Sequence, residues 1–333
     1  MTEPLANGAA VADTDTLQNE LNAVAQLFEQ AQAELGKVLA GQHELLQQAV
    51  VTVLAGGHAL LEGVPGVAKT LAVKTLARWL GLGYRRVQGT PDMMPADITG
   101  TSVFMPSTGD FRFHPGPAFT QFLLADEINR MPPRTQAALL ECMEERQITA
   151  EGTAYPLDPL FTVFATQNPV EFEGTYTLPE AQLDRFLLKI VVPYPSAEDE
   201  LLILQRHNNT GGALGEIEIT PVSPDLVRRA REACRHVRME PQLLDYLLAL
   251  VRRTREWPTL ALGASPRAAV SLLAVSKAYA ALDGRAYLLP DDIKAAMLPC
   301  LRHRVQLRPE AELDGMDPNR VLRDVIAAVP LPK

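Results

Sequence analysis

Residues 63–70, GVPGVAKT, give the strongest indication of the fold. It follows the short apolar run HALLE at 58–62 and precedes a helix-like stretch at 70–80. In the pattern G-x-x-x-x-G-K-[ST], the glycines let backbone N–H groups converge on phosphate oxygens, and the helix directs its positive dipole end at them. Lys69 is expected to reach the β- and γ-phosphates, and the Thr70 hydroxyl to bind Mg²⁺. The sequence therefore predicts a phosphate loop between a strand and a helix.

This loop departs from its pattern at one position, where Ala68 replaces the last glycine. Alanine is small and compatible with a helix. We therefore expect the replacement to be mild if the residue has right-handed helical geometry.

Polar side chains follow two further apolar runs. Asp126 and Glu127 end the run FLLADE, and Asn168 follows the run FTVFATQ. Acidic residues at the carboxyl end of a buried parallel strand lie where such sheets bind ligands. We assign Asp126 to the Mg²⁺ site, Glu127 to polarising the attacking water, and Asn168 to a hydrogen bond with that water or the γ-phosphate.

The order of predicted elements defines the fold class. Strand-like runs alternate with helical segments such as 133–145, which indicates an α/β fold with a parallel sheet. The predicted strands are 58–62, 84–88, 122–126, 161–166 and 186–192. After residue 195 only helical patterns follow, and they are 198–207, 224–237, 241–256, 266–281 and 290–303. We therefore predict an α/β core at 38–195 and an all-helical lid at 196–333.

The N-terminal region, 1–37, is predicted to hold a loose tail and one amphipathic helix. Its apolar residues from Leu17 to Val38 are spaced alternately four and three apart, as on one face of a helix. A packing role accounts for this stripe, and a coiled-coil partner is the alternative.

Composition excludes several classes of protein. The chain has 333 residues and a formal net charge of −9, with no basic run, which argues against a general nucleic-acid coat. Three widely spaced cysteines fit a reducing cytoplasm and exclude a disulfide scaffold. No apolar run reaches the roughly 18 residues of a membrane span, and no basic flank marks a signal peptide. We expect a cytoplasmic protein without a membrane segment.

Together, GVPGVAKT, FLLADE, ATQNP, LPEAQLDRF and GASPR, in this order, resemble an AAA+ ATPase. The segments EAQLDRF and GTPDMMPADITG indicate the MoxR family within it. The resemblance covers about residues 36–305. It implies an α/β nucleotide core with a helical lid, ATP/ADP and Mg²⁺ as cofactors, and a homo-oligomeric ring, usually a hexamer.

The resemblance also assigns roles to individual residues. Arg185 resembles the arginine finger, Arg267 sensor 2 and Asn168 sensor 1, while Asp126 with Glu127 resembles Walker B. Lys69, Glu127, Asn168, Arg185 and Arg267 are thus the candidate catalytic residues, and Thr70 with Asp126 the candidate Mg²⁺ ligands. The candidate nucleotide-binding residues are Gly41, Gln42, Gly63, Val64, Pro65, Gly66, Val67, Ala68, Lys69, Thr70 and Leu71.

Two insertions are predicted to form β-hairpins, at 102–119 and 147–157. They resemble the helix-2 insertion and the presensor-1 hairpin of this branch, which would line a ring pore and could grip a polypeptide. Closing the sheet is the alternative role. The lid arginines Arg228, Arg229, Arg231, Arg235 and Arg238 are expected on a solvated face or facing an acidic neighbour.

The leading functional hypothesis is Mg²⁺-dependent ATP hydrolysis by a ring-forming, MoxR-type ATPase. The resemblance implies a chaperone-like role in remodelling or maturing client proteins, including cofactor or metal insertion, with a von Willebrand factor A domain partner. The alternatives are a nucleotide-gated scaffold with slow turnover and a chelatase-type or nucleic-acid ring motor. Acidic charge and the lack of a DNA-reading segment count against nucleic acid.

Overall fold

A five-stranded parallel sheet forms the centre of the N-terminal two thirds of the chain. The computed structural model describes residues 14–107, 109–150, 152–169, 175–209 and 219–332. The sheet has the strand order β2-β5-β8-β1-β9, all parallel. Its strands are β1 Ala59–Glu62, β2 Tyr84–Gln88, β5 Phe122–Asp126, β8 Thr162–Gln167 and β9 Leu188–Val191. This confirms the predicted α/β core.

Helices cover both faces of this sheet and connect its strands, as parallel pairing requires. The helices of this region are α1 Thr14–Gly36, α2 His43–Leu54, α3 Lys69–Trp79, α4 Ala96–Thr99, α5 Pro133–Glu145 and α6 Glu180–Leu183. A short 3₁₀ turn, Ile128–Arg130, lies between β5 and α5. The central strands β5 and β8 are almost completely buried, which explains their continuous apolar runs.

Both predicted insertions are antiparallel hairpins separate from the main sheet. The first pairs β3 Gly100–Met105 with β4 Asp110–Pro115, and the second pairs β6 Gln147–Ala150 with β7 Thr153–Pro156. The first is shorter than predicted, because residues 116–119 form a turn.

In the part of the C-terminal region that the structure describes, helices are joined by connections that include one short strand pair. Its helices are α7 Ala197–Asn209, α8 Pro224–Arg235, α9 Pro241–Arg255, α10 Pro266–Leu282, α11 Pro290–Leu301, α12 Pro309–Leu313 and α13 Pro318–Ala328. The strands β10 Leu260–Leu262 and β11 Gln306–Leu307 pair antiparallel. The lid is therefore not all-helical, because these two connections run side by side and satisfy each other's backbone groups.

The amphipathic helix α1 packs against α8 and α10, and also against α2. Leu21, Ala31 and Leu35 on its apolar face have no exposed surface, which confirms the packing role predicted for the stripe. One continuous hydrophobic cluster joins residues of α1, α3, β9 and the lid helices. The lid thus shares its core with the sheet. Among the described residues, no helix is long and apolar enough to cross a membrane.

Arg231 on α8 contradicts the solvated face predicted for the lid arginines, because it is only 6% exposed. Its Nε donates to Val53 O at 2.9 Å and its Nη1 to Pro159 O at 2.7 Å. Burial, and then the nearby charge of Arg146, lower the pKa of this guanidinium to about 10. Arg231 therefore fastens the lid to the amino edge of the sheet.

Candidate nucleotide site

The phosphate loop follows β1 at the carboxyl edge of the sheet and leads directly into α3. Gly66 has φ +85°, and a Cβ built on it would contact nothing within 4 Å, so the loop surface there is open. A Cβ on Gly63 would lie 2.6 Å from Val192 O, so glycine is required for packing against β9. Lys69 Nζ contacts Gly63 O and donates to Gln167 O at 3.2 Å. The ammonium group thus lies across the loop, between β1 and β8.

Ala68 is in the left-handed conformation, with φ 61° and ψ 22°. The right-handed geometry that would make its replacement of glycine mild is therefore not the one the loop adopts. Ala68 O accepts the first hydrogen bond of α3, from Ala72 N at 2.8 Å, so this backbone conformation is tied to the start of the helix. A left-handed alanine is strained by about 1–2 kcal/mol.

The two predicted Mg²⁺ ligands lie together. The Thr70 hydroxyl donates to Asp126 Oδ2 at 3.0 Å, and the Asp126 carboxylate is nearly buried. Its Oδ2 also accepts from Arg86 Nε at 3.1 Å and Nη2 at 2.7 Å, while Thr166 Oγ1 donates to Oδ1. A hydroxyl and a carboxylate from different elements supply the hard oxygen ligands that Mg²⁺ requires. The residues present therefore fit the ion that the fold implies.

Glu127, directly after β5, is held in a fixed position. Its φ of 56° is unusual for a residue other than glycine. Its backbone N–H donates to Thr166 Oγ1 at 2.9 Å. Its Oε2 accepts from Gln88 Nε2 at 2.9 Å and from Arg130 Nη1 at 3.3 Å. The carboxylate is one-third exposed, so it can reach a water at this edge.

Asn168 follows β8 and is nearly buried. Because β8 lies between β1 and β5, Asn168 comes out of the same sheet edge as the phosphate loop and Glu127. Sequence reasoning placed it there, and the sheet order is consistent with that position.

Gly41 and Gln42 lie in the turn before α2. A Cβ on Gly41, which has φ +69°, would lie 2.1 Å from Asp199 Oδ2 on α7. Gln42 is buried, and its carbonyl accepts from Leu46 N in the first turn of α2. This turn therefore packs against the helix that begins the lid.

Arg185 and Arg267, here called the arginine pair, lie at the other edge of the sheet. Arg185 precedes β9, whose first residues bond to His58 just before β1, whereas the phosphate loop follows β1. Both arginines bind Glu144 near the end of α5: Arg185 Nε to Oε2 and Arg267 Nη1 to Oε1, each at 2.9 Å. The structure thus does not bring the arginine pair to Lys69 of the same chain.

Sequence reasoning missed five residues of these two clusters, and they are Arg86, Gln88, Arg130, Glu144 and Thr166. Arg86 and Gln88 alternate on β2, so their side chains share a face. Nothing along the chain says that β2 lies beside β5, and that neighbourhood is what brings them to Asp126 and Glu127. Glu144 lacks any local signal, since its partners are distant in sequence.

The site combines a glycine loop at a helix N-terminus, a buried aspartate that faces the threonine after this loop, and an adjacent glutamate, all at one edge of a parallel sheet. This combination defines a P-loop ATPase of the AAA class. The comparisons agree. Residues 58–188 match the ATPase family associated with various cellular activities (AAA), and residues 252–325 match the AAA lid domain.

Similar proteins identify the family within the AAA class. The chain is 42% identical to Chaperone MoxR1 of Mycobacterium tuberculosis (strain ATCC 25618 / H37Rv), covering 94% of this chain and 84% of the relative. It is 41% identical to YeaC of Bacillus subtilis (strain 168), covering 92% and 95%. A crystal structure from Cytophaga hutchinsonii ATCC 33406 superposes with a TM-score of 0.88 at 40% identity, covering 96% of this chain and 99% of that one. The chain belongs to the MoxR family of AAA+ ATPases.

Proposed function

We propose that this protein hydrolyses ATP with Mg²⁺ and couples hydrolysis to the remodelling of client proteins. The observation that carries the proposal is the pairing of Thr70 with Asp126 beside the fixed carboxylate of Glu127. These groups meet at the edge of the sheet where the phosphate loop also lies.

Each residue of this cluster has a distinct task. Lys69 and the loop N–H groups bind phosphate oxygens, and Thr70 with Asp126 holds the metal, which would neutralise charge on the phosphates. Glu127 accepts a proton from the attacking water, which Asn168 helps to orient. The hydrogen bonds from Gln88 and Arg130 fix the direction of the Glu127 carboxylate.

The arginine pair supports the proposal of a ring, for which we infer six subunits from the family. Arg185 and Arg267 lie near the end of α5, a helix of 13 residues that begins close to Glu127. At about 1.5 Å per residue this helix spans roughly 20 Å, so the pair is too distant to reach the γ-phosphate of its own chain. In a ring, these arginines would serve the nucleotide of the adjacent subunit.

The chaperone role rests on the relatives and on the first hairpin. The similar protein of M. tuberculosis is named a chaperone. On this chain's first hairpin, Phe104 and Phe111 are 50% and 66% exposed, with ring centroids 5.4 Å apart. An exposed aromatic pair is suited to contact an unfolded client segment. Clients in need of a cofactor or metal, and a partner with a von Willebrand factor A domain, complete the proposal.

Replacing Glu127 with Gln tests the proposed chemistry. We expect Glu127→Gln to bind ATP normally and to lose hydrolysis by at least about a hundredfold, because the water loses its base. Glu141→Gln, on the exposed face of α5, is the control for the lost charge. Unchanged turnover in Glu127→Gln would remove the proposed role of this carboxylate.

Measuring the ATPase rate against protein concentration tests the ring. The rate per subunit should rise cooperatively as rings form, with mass photometry on the same samples. A rate that stays flat from monomer upward would exclude catalysis by the neighbouring subunit's arginines.

Strain at Ala68 favours a second candidate, a nucleotide-gated scaffold with slow turnover. A scaffold would bind ATP and assemble, but wild type and Glu127→Gln would hydrolyse it equally slowly. The same assay therefore separates the two functions.

A further inference from the structure

Glu144 joins two arginines that come from different parts of the chain. Arg185 lies at the start of the segment leading into β9, and Arg267 lies in the first turn of α10 in the lid. Each arginine contacts a different oxygen of the same carboxylate at 2.9 Å. Among the described residues, Glu144 is the only ion-pair partner of either guanidinium.

The charge balance of this cluster gives Glu144 a specific effect. Two guanidinium groups sharing one carboxylate keep one net positive charge, and without that carboxylate they would repel each other. Because Arg185 is engaged through Nε and Arg267 through one terminal nitrogen, each retains N–H donors that can bind a phosphate. The side chains are 31% and 48% exposed, so these donors are accessible.

A cleft of about 890 Å³ lies between the sheet and the lid, next to the arginine pair. Asp184 and Pro266, the residues directly before the two arginines, line this cleft, whereas Arg185 and Arg267 do not. Asp184 is held from the other side, where buried Arg304 donates to its side-chain Oδ1 at 2.7 Å and to its backbone carbonyl at 3.1 Å. The direction of Arg185 is thereby fixed from both sides.

We propose that Glu144 is the positioning residue that holds Arg185 and Arg267 as one unit for the γ-phosphate bound by the adjacent subunit. This inference rests on the proposed ring ATPase. It adds that one carboxylate, that of Glu144, makes the lid arginine and the core arginine act together.

Glu144→Gln tests the positioning role, with Glu145→Gln as its matched control. Glu145 is the next residue on the same helix and forms no ion pair among the described residues, so the control removes the same charge without touching the arginines. We expect Glu144→Gln to lower kcat at least about tenfold, with KM and ATP affinity within about twofold of wild type. Glu144→Asp should recover part of the rate. Equal rates for both Gln variants, or a change in KM alone, would overturn the proposal.

Mixed rings decide where the defect acts. Lys69→Ala disables a subunit's own phosphate loop but leaves its arginines intact, whereas Glu144→Gln does the reverse. If Glu144 serves the neighbour, mixing equal amounts of the inactive Lys69→Ala and the impaired Glu144→Gln variant restores about a quarter of the sites by random assembly. A mixture of Glu144→Gln with Arg185→Ala should be no more active than the two variants alone, because both lack competent arginines. No recovery in the first mixture, or recovery in the second, would overturn the proposal.

The same set of variants distinguishes a failure of this inference from a failure of the proposed function. Full activity of Arg185→Ala would refute catalysis by the neighbour's arginine, and the Glu144 proposal would fall with it. An inactive Arg185→Ala beside a fully active Glu144→Gln would refute the positioning role alone. Mass photometry on every variant verifies that the rings form, and thermal unfolding verifies that the subunits are folded.

Discussion

Substituting glycine for Ala68 measures the strain in the phosphate loop. The residue has φ 61°, and its carbonyl accepts a hydrogen bond from Ala72 N at 2.8 Å, so this conformation is tied to the start of α3. Glycine would remove about 1–2 kcal/mol of left-handed strain. It would also cost about 0.4–1 kcal/mol, because the unfolded chain gains freedom.

The net expectation for Ala68→Gly is a rise of up to about 1.6 kcal/mol in the free energy of unfolding, with about 0.8 kcal/mol at the midpoints of the two ranges. ATP affinity should change by less than about twofold, because the hydrogen bond from Ala72 N holds the Ala68 conformation through contacts within the protein itself. Urea unfolding measures the first quantity, and titration with a fluorescent ATP analogue the second.

A control variant and two outcomes make this reasoning refutable. Ala68→Val should destabilise the protein, since a β-branched residue is disfavoured at positive φ. If Ala68→Gly lowered stability, the left-handed assignment would be wrong. If affinity rose more than about fivefold, worth about 1 kcal/mol, nucleotide binding itself would impose the strain.

Further variants probe the lid, the core and the metal site. Arg304→Met should lower the free energy of unfolding by about 3–5 kcal/mol in urea, because it leaves Asp184 and several carbonyls without their buried donor; a loss under 1 kcal/mol would contradict this. Burial lowers the pKa of His58 from 6.5 to about 3, and its Nε2 faces Met143 O. The unfolded state therefore takes up the proton first, so stability is full above pH 6.5 and falls by up to about 1.4 kcal/mol per unit as pH drops toward 3. His58→Gln should flatten this slope in unfolding curves, and an unchanged slope would assign it to other groups. Thr70→Val should raise the Mg²⁺ concentration for half-maximal hydrolysis at least about tenfold while ATP binding in EDTA is kept; equal Mg²⁺ dependence would exclude the hydroxyl as a ligand.

Local sequence signals predicted the strands of the sheet well, since each signal and its structural cause lie on the same segment. The strands 84–88 and 122–126 and the helix 133–145 have the predicted bounds. The loop residues and Asp126 could be proposed from the sequence because phosphate chemistry requires particular residue types at fixed spacing, and their roles stay predictions.

Features that depend on packing between distant segments were not predictable in this way. Arg231 is buried because α8 lies against the amino edge of the sheet, where backbone carbonyls accept its N–H groups. The conformation of Ala68 follows from how the loop enters α3, and composition alone does not give φ. The small β10–β11 pair likewise arises where two lid connections meet.

Helix α5 connects the two clusters that a ring would use in different active sites. It begins just after the 3₁₀ turn that follows Glu127, and near its other end Glu144 holds the arginine pair. A rigid helix transmits displacement of one end to the other. If Glu127 and the turn after it shift with the nucleotide of their own subunit, Glu144 shifts the two arginines that act on the nucleotide of the next subunit. The order of hydrolysis around the ring would then be set through α5. If the subunits of Glu144→Gln rings used their residual activity to hydrolyse ATP in no fixed order, this helix would be identified as the connection.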